Sequence, residues 1–548
     1  MPQNPAQENL VSLLRDTAAR LPDRAAVLSS EVQGFAPRTF GQLFADTRIC
    51  ASILSSRGIG KGDKTLLFVQ PGYELIILAF ALIQLGSVPI IIDPGMGLKS
   101  MLACIRSTQP KFLVGIPLVC FVSKFFPGSF KSIRRKIVIH SGFLGKIISE
   151  KQPPSEIQIA ETSASELAAI VFTSGSTGKP KGVRYLHSTF NAQVNSLKEN
   201  FNMNEGELDL TTLPIFGLFN PALGITSVIP DMNPRKPARA DAEKLVRAIL
   251  NFKITSAFAS PVIGKKIANW CLENNRELPS MRRIFLAGAP APPSLIEQLA
   301  KVMVNGEVIV PYGSTEALPV AYCQTQEIQN CRKGIESGEG SLLGKPISGI
   351  TLRVFPSRKG PYPSDAAQIS PLEGKEVGEI CVSGPVVTDG YHNKPGATFD
   401  ARFVYEGKVF HRMGDLGYFD ENDHLRFMGR KIECVQTPNG PLETERCEPI
   451  ANAHDGIARS ALVGIGKGKT KEPCLVVEPL DENSEKSALE DRIRDDLRQN
   501  LPDFAIKRIF WQNSIPVDSR HNAKIHRLAL ARKWTKLVAS DPELGLPK

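Results

Sequence analysis

Apolar positions recur every three to four residues over residues 10–20 and 40–57, the period of a helix with one buried face, whereas residues 64–69 and Val88–Ile92 read as short buried strands. Residues 75–92 form an apolar stretch long enough by count to span a bilayer, but Gln84 and Gly86-Ser87-Val88-Pro89 break it. The pattern predicts a buried helix ending near Gly86, then a strand through Ile90-Ile91-Ile92 into the turn Asp93-Pro94-Gly95, and no transmembrane segment. The alternation resumes with a helix at 241–252, a strand at Ser256–Ala259, a helix at 294–304 and a strand at 307–310. Alternating helices and strands predict an α/β fold with largely parallel sheets over about residues 1–340.

From about Gly344 the texture changes. Short apolar runs at Thr351–Phe355, 378–382 and 425–428 are separated by Gly, Pro, Asn and Asp, which predicts antiparallel, barrel-like β structure over about 341–428. Beyond Gly429-Arg430, about 120 residues hold a strand at 474–478, a charged amphipathic helix at 485–499 and a basic tail segment, the pattern of a small α+β domain. The expected organisation is a large N-terminal domain, 1–428, and a small C-terminal domain, 429–548.

Composition narrows the function classes. The chain has 548 residues, 42% hydrophobic and 22% charged, which excludes bulk disorder and implies more than one domain. Its net charge of +10 suits an anionic substrate, a membrane surface or nucleic acid, but no basic tract interleaved with aromatics marks a nucleic-acid site. The ten cysteines contain no C-x-x-C pair, which argues against zinc and a disulfide scaffold and for a cytoplasmic protein. The N-terminus reads as free of a signal peptide. Residues 111–146 carry seven basic residues, no acidic one, and clustered Phe and Ile. They read either as a peripheral contact with a membrane or acyl-chain donor, or as a solvated basic face.

The stretch Thr173-Ser174-Gly175-Ser176-Thr177-Gly178-Lys179-Pro180-Lys181-Gly182 follows the apolar run Leu167–Phe172. Glycines allow close backbone approach, hydroxyls add donors and lysines add charge, which together suit a polyphosphate. A P-loop reading fails, because Thr173 stands at the first glycine position and Pro180 replaces the magnesium-binding Ser or Thr. Downstream come Ala287-Gly288-Ala289-Pro290, Tyr312-Gly313-Ser314-Thr315-Glu316, Leu343-Gly344-Lys345-Pro346, Met413-Gly414-Asp415, Gly429-Arg430 and Asn522-Ala523-Lys524-Ile525. In this order the segments resemble the signature of the adenylate-forming superfamily, which includes acyl-CoA synthetases, peptide-synthetase adenylation domains and luciferases.

The resemblance implies a mobile C-terminal domain, ATP and Mg²⁺ as cofactors, and a role for each residue. Thr173 to Lys179 and Lys181 would bind the ATP phosphates. Gly288, Ala289, Pro290, Tyr312, Gly313 and Ser314 would form the adenine pocket, with Asp415 and Arg430 at the ribose. Thr315 would donate to the α-phosphate, Glu316 would hold Mg²⁺ and Lys524 would bring charge to the reacting oxygens. Other readings of the same residues are a surface ion pair for Asp415 and Arg430, a solvated basic segment around Lys524, and a helix-start acid for Glu316.

Four segments, at 219–224, 227–232, 411–415 and 520–525, resemble more narrowly the β-lactone synthetases of bacterial long-chain olefin biosynthesis. Met413 in place of Thr, Ile432 in place of a polar hinge residue and Ala523 in place of Gly depart from the broader superfamily and put a thioester half-reaction in doubt. The narrower resemblance implies adenylation of a 2-alkyl-3-hydroxy fatty acid, closure by its own hydroxyl, and assembly with other enzymes of olefin biosynthesis. Phe216, Leu218 and Phe219 are candidates for the alkyl pocket or for plain core, and His187 and His411 for a base or for packed histidines. Competing readings are an acyl-CoA ligase, a stand-alone adenylation enzyme that loads a carrier protein, and a non-catalytic nucleotide-binding scaffold.

Overall fold

The structure is a computed structural model and describes residues 9–30, 36–140, 142–149, 157–172, 180–363, 369–481, 486–518 and 524–546. Local signals set the first elements. Asn9 caps the helix Leu10–Arg20 by accepting from the Val11 N–H, and a reciprocal Thr39–Gln42 capping box starts Phe40–Ser56. The apolar stretch is a buried helix, Tyr73–Gln84, followed by the strand Val88–Ile92, with Gly86 in the left-handed region between them. No helix among the described residues is long and apolar enough to cross a membrane.

Two large sheets organise the chain. In the first, the strands Arg135–Val138, Phe112–Gly115, Lys64–Phe68, Val88–Ile92 and Leu167–Phe172 run parallel, and Gly182–Leu186 returns antiparallel on the last of them. In the second, Ala25–Ser29, Thr226–Ile229, Leu208–Thr211, Ser256–Ala259, Arg283–Leu286 and Glu307–Ser314 lie parallel. The hairpin partner Ala317–Gln324 reverses direction, and Ser341–Pro346, Leu425–Arg430, Lys408–Phe419, Gly378–Ser383 and Thr351–Phe355 extend the same sheet antiparallel. The α/β and β-rich regions are therefore joined through one hydrogen-bonded sheet, and that junction is where the Tyr312–Glu316 segment lies.

A third sheet of Ile457–Ile465, Glu472–Pro479 and Arg508–Trp511 packs against the helices Thr444–Asn452, Lys486–Asn500 and Arg527–Ser540. Its two apolar cores draw only on residues from Val435 onward. Polar contacts tie this unit to the large sheet. Ser341 Oγ donates to Glu445 Oε2 at 2.6 Å, and Gly429 passes so close to Thr444 that a Cβ would lie 2.3 Å from its hydroxyl. Lys431 reaches Glu379 on the large sheet at 2.8 Å, and within the unit Arg527 reaches Glu433 at 2.8 Å and Glu448 at 2.6 Å.

Glu445 is buried at this junction. Desolvation, assisted by the neighbouring Glu448, pushes its carboxyl up to about 7 against the pull of Ser341 and Arg527. The native state thus binds a proton that the unfolded chain has released, so this group's contribution falls as pH rises from the ordinary Glu range through about 7. Glu445→Gln keeps the acceptor for Ser341 and removes the titration. It should leave stability near unchanged at pH 5 and raise it at pH 8, by on the order of 3 kcal/mol at most. Denaturation midpoints at the two pH values measure this, and an equal effect at both contradicts the buried-acid account.

Candidate active site

The parallel strand Arg283–Leu286 delivers Ala287-Gly288-Ala289-Pro290 at its C-terminal end, where the Ala287 N–H donates to the Ala259 carbonyl at 2.9 Å. Gly288 takes a φ of 94°, a conformation that glycine alone adopts cheaply. Gly288 and Pro290 are exposed and Ala289 is half-buried, so this turn has a face open to a ligand.

The strand Glu307–Ser314 carries Tyr312, Gly313 and Ser314 to the edge of the turn, and Thr315-Glu316 form the turn itself before Ala317–Gln324. Glu316 is therefore a hairpin residue, not a helix-start acid. A Cβ on Gly313 would sit 2.6 Å from the Ala317 carbonyl oxygen, so glycine is what lets the hairpin close. Three long-range partners hold the turn. Tyr185 donates its hydroxyl to the Thr315 carbonyl at 2.7 Å. Thr388 donates its N–H and hydroxyl to the Glu316 carbonyl at 2.9 and 3.1 Å. Tyr391 donates its hydroxyl to Glu316 Oε1 at 2.8 Å.

Tyr391 also reaches the other side of the site. The Lys181 ammonium lies 4.6 Å from the centroid of its ring, within cation–π range. Backbone bonds knit its loop to the strand Gly182–Leu186, from the Arg184 N–H to the Gly390 carbonyl at 3.0 Å and from the His392 N–H to the Gly182 carbonyl at 2.8 Å. Thr173 to Lys179 fall outside the described residues. Their flanks are fixed by the antiparallel pair Phe172 and Gly182, so Lys181 enters the same cluster as Glu316.

Asp415 and Arg430 face each other on adjacent strands. Asp415 is 2% exposed, accepts the Tyr312 hydroxyl on Oδ2 at 2.7 Å and has Arg430 Nη1 3.0 Å from Oδ1. A surface ion pair is thereby ruled out. Oδ1 makes no hydrogen bond within the protein, so a buried acceptor remains for a ligand hydroxyl. Tyr312 itself is nine-tenths buried, among Val320, Val386 and Met413. Met413, the departure from Thr, packs as core.

Lys524 is half-buried and near enough to Arg430 and Asp415 to act on them. Burial and the Arg430 charge lower the affinity of its amine for a proton. Its neighbours 519–523 are outside the described residues, and Ile525 is buried against the small sheet, so the lysine sits on an anchored segment.

The two histidines part company. Burial brings both down to about 4, so both are neutral near pH 7. His411, 4% exposed, shares a charge environment with Glu316, Arg402 and Lys181. His187 has Glu166 and Lys61 as its charged neighbours instead. Burial opposes the charge of Glu316, yet His411, the Tyr391 hydroxyl, its own N–H and Ser314 together hold its carboxyl below the ordinary range. Phe216, Leu218 and Phe219 are buried. Phe216 stacks on Phe258 with centroids 3.6 Å apart, and Phe258 stacks on Phe285 at 4.2 Å. Phe258 and Phe285 belong to the strands that precede the 287–290 turn, and Phe216, Leu218 and Phe219 pack as core.

The signature of the AMP-binding enzyme family matches residues 14–392. The chain belongs to this family. Two of its curated relatives are olefin beta-lactone synthetases. The one from Stenotrophomonas maltophilia is 37% identical over 542 residues, covering 95% of this chain and 97% of the relative. The one from Xanthomonas campestris is 37% identical over 505 residues, 90% of each. Among solved structures, O-succinylbenzoate coenzyme A synthetase from Bacillus subtilis, in complex with ATP and magnesium ion, aligns with a TM-score of 0.75 at 22% identity, covering 94% of this chain and 98% of that one. The amide bond synthetase McbA from Marinactinospora thermotolerans aligns at 0.78 and 20% identity, covering 96% and 99%. These likenesses establish the fold.

Tyr185, Thr388 and Tyr391 were not legible as site residues. Only the turn-forming pair Asp389-Gly390 beside Tyr391 offered a local signal. The geometry also yields a stability test. Tyr312→Phe strips a donor from a buried carboxylate and should cost about 1–3 kcal/mol at pH 7. A shifted denaturant midpoint at constant slope is expected, and an unmoved midpoint contradicts the Tyr312–Asp415 bond.

Proposed function

We propose that the protein adenylates a 2-alkyl-3-hydroxy fatty acid with ATP and then closes it to a β-lactone, releasing AMP and pyrophosphate. The observation that carries this reading is 37% identity to an olefin beta-lactone synthetase over 95% of the chain and 97% of the relative. The polar cluster fits the chemistry residue by residue. Asp415, with a buried free acceptor, would take a ribose hydroxyl, with Arg430 beside it. The 287–290 turn and the Tyr312–Ser314 strand end would flank adenine. Residues 173–179 and Lys181 would grip the phosphates.

In the first step a carboxylate oxygen attacks the α-phosphorus and pyrophosphate leaves. Thr315 and Lys524 would stabilise the oxygens on which charge gathers. In the second step the 3-hydroxyl oxygen attacks the acyl carbonyl, the hydroxyl proton is released, and AMP departs with the bonding electron pair. Tethering hydroxyl to carbonyl replaces an external nucleophile, since intramolecular reactions reach effective molarities of roughly 10⁵–10⁸ M in favourable cases. Glu316, ionised and with one oxygen on Tyr391, suits Mg²⁺, which typically takes one or two carboxylates and completes its shell from phosphates and water. Bound there, Mg²⁺ would neutralise phosphate charge.

The unit 429–548 would act as a small mobile domain that carries Lys524. Ile432, 43% exposed, stands where a polar hinge would serve a thioester step. Ten free thiols suit a reducing compartment such as the cytoplasm.

The decisive assay supplies ATP, Mg²⁺ and the hydroxy acid without coenzyme A. We expect AMP and a product one water lighter than the acid. AMP release that strictly requires coenzyme A would establish an acyl-CoA ligase instead. Tyr391→Phe removes the hydroxyl that helps keep Glu316 ionised, so the acidic limb of the rate profile should move to higher pH. The rate at pH 7 should fall on the order of tenfold, as for loss of one charge-assisted bond. An unshifted limb contradicts the role given to Tyr391.

A further inference from the structure

Residues 111–146 carry seven lysines and arginines and no acidic residue, a local charge of +7 in a chain whose net charge is +10. Lys111 is spent on Asp63 at 2.7 Å, but Lys124, Lys131, Arg134, Arg135 and Lys136 are all exposed. They surround an apolar projection. The short helix Pro117–Val122 buries Cys120 and turns Leu118 and Phe121 outward, 64% and 56% exposed, and Phe125 follows at 64%. The two phenyl rings meet edge to face with centroids 5.2 Å apart, and the Lys124 ammonium stands 6.0 Å from the Phe121 ring. Lys136, on the edge strand Arg135–Val138, lies near enough to act on the Cys120 thiol of this helix, and Val138 on the same strand is also exposed. Beneath the projection is a cavity of about 180 Å³ lined only by apolar side chains, among them Phe68, Met101, Leu102, Ile105, Leu118 and Val122.

A solvated basic face has no reason to hold two aromatic rings and a leucine out in water. Single exposed apolar residues are ordinary, but a cluster rimmed by cations and free of acids is not. An anionic bilayer matches both halves of the surface. Lipid headgroups pair with the lysines and arginines while the rings and Leu118 enter the acyl boundary. We propose that the 117–138 face is a docking surface for anionic lipid membranes. This inference does not depend on the reaction assigned above.

The test is co-sedimentation of the full chain with vesicles of phosphatidylcholine alone and of phosphatidylcholine with phosphatidylglycerol. The chain should bind the anionic vesicles, and added salt should weaken that binding. Phe121→Ser/Phe125→Ser and Lys124→Glu/Lys136→Glu should each reduce it by about tenfold or more, because both the apolar and the charged contributions are needed. Adenylation activity and melting temperature of each pair should match the parent, and Leu118→Ser replaces any pair that melts early. Equal binding to neutral and anionic vesicles, no binding, or variants that bind like the parent would overturn the proposal. So would a parent chain that ignores vesicles but self-associates through Phe121 and Phe125, which would make a second copy the occupant.

Discussion

A carboxylate removed from water takes up a proton unless donors or positive charge hold it ionised. Glu316 is held by the Tyr391 hydroxyl at 2.8 Å, by its own N–H and by Ser314. The loop bearing Tyr391 is in turn fastened to the strand that leaves the glycine-rich segment, and Lys181 rests over the Tyr391 ring. One tyrosine thus couples the residue suited to a cation with the segment suited to phosphates. The hairpin carrying Glu316 closes only because Gly313 has no side chain, and Tyr185 and Thr388 fix its carbonyls. Charge placement at this point depends on contacts drawn from three distant parts of the chain.

Asp415 solves the same problem differently. Burial raises its proton affinity, and Arg430, Tyr312 and the more distant Lys524 oppose that rise. One carboxylate oxygen is satisfied by Tyr312, and the other, beside Arg430, keeps an acceptor free. A ligand that donates there would complete a network the protein leaves open. The last unit brings Lys524 toward this pair from its own independently packed cores. Its attachment includes polar contacts, from Ser341 to Glu445 and from Lys431 to Glu379. Polar junctions suit units that move relative to each other better than large apolar interfaces do.

Much of this was written locally in the chain. Ser256–Ala259 and Thr351–Phe355 fall where short apolar runs meet turn residues, and Leu10–Arg20 starts at an asparagine cap. The Gly86 break separated helix from strand in the long apolar stretch. The signature segments disclosed Glu316, Asp415 and Lys524 because they are contiguous. What holds those residues was not visible, since Tyr391 lies 75 residues from Glu316 and Tyr312 lies 103 from Asp415. Nor did the alternation of helices and strands reveal that Ala317–Gln324 carries one sheet from the parallel into the antiparallel region. Register between distant strands is set by packing of the whole sheet, not by any single run.

In β-lactone formation the acid's own oxygens make both bonds, first to phosphorus and then to carbon. The direct measurement supplies a hydroxy acid with heavy oxygen at both carboxyl positions and weighs the products. One heavy oxygen is expected in AMP and one in the carbonyl of the lactone, with an unlabelled ring oxygen from the 3-hydroxyl. AMP without label, or a product retaining both heavy oxygens, would contradict it.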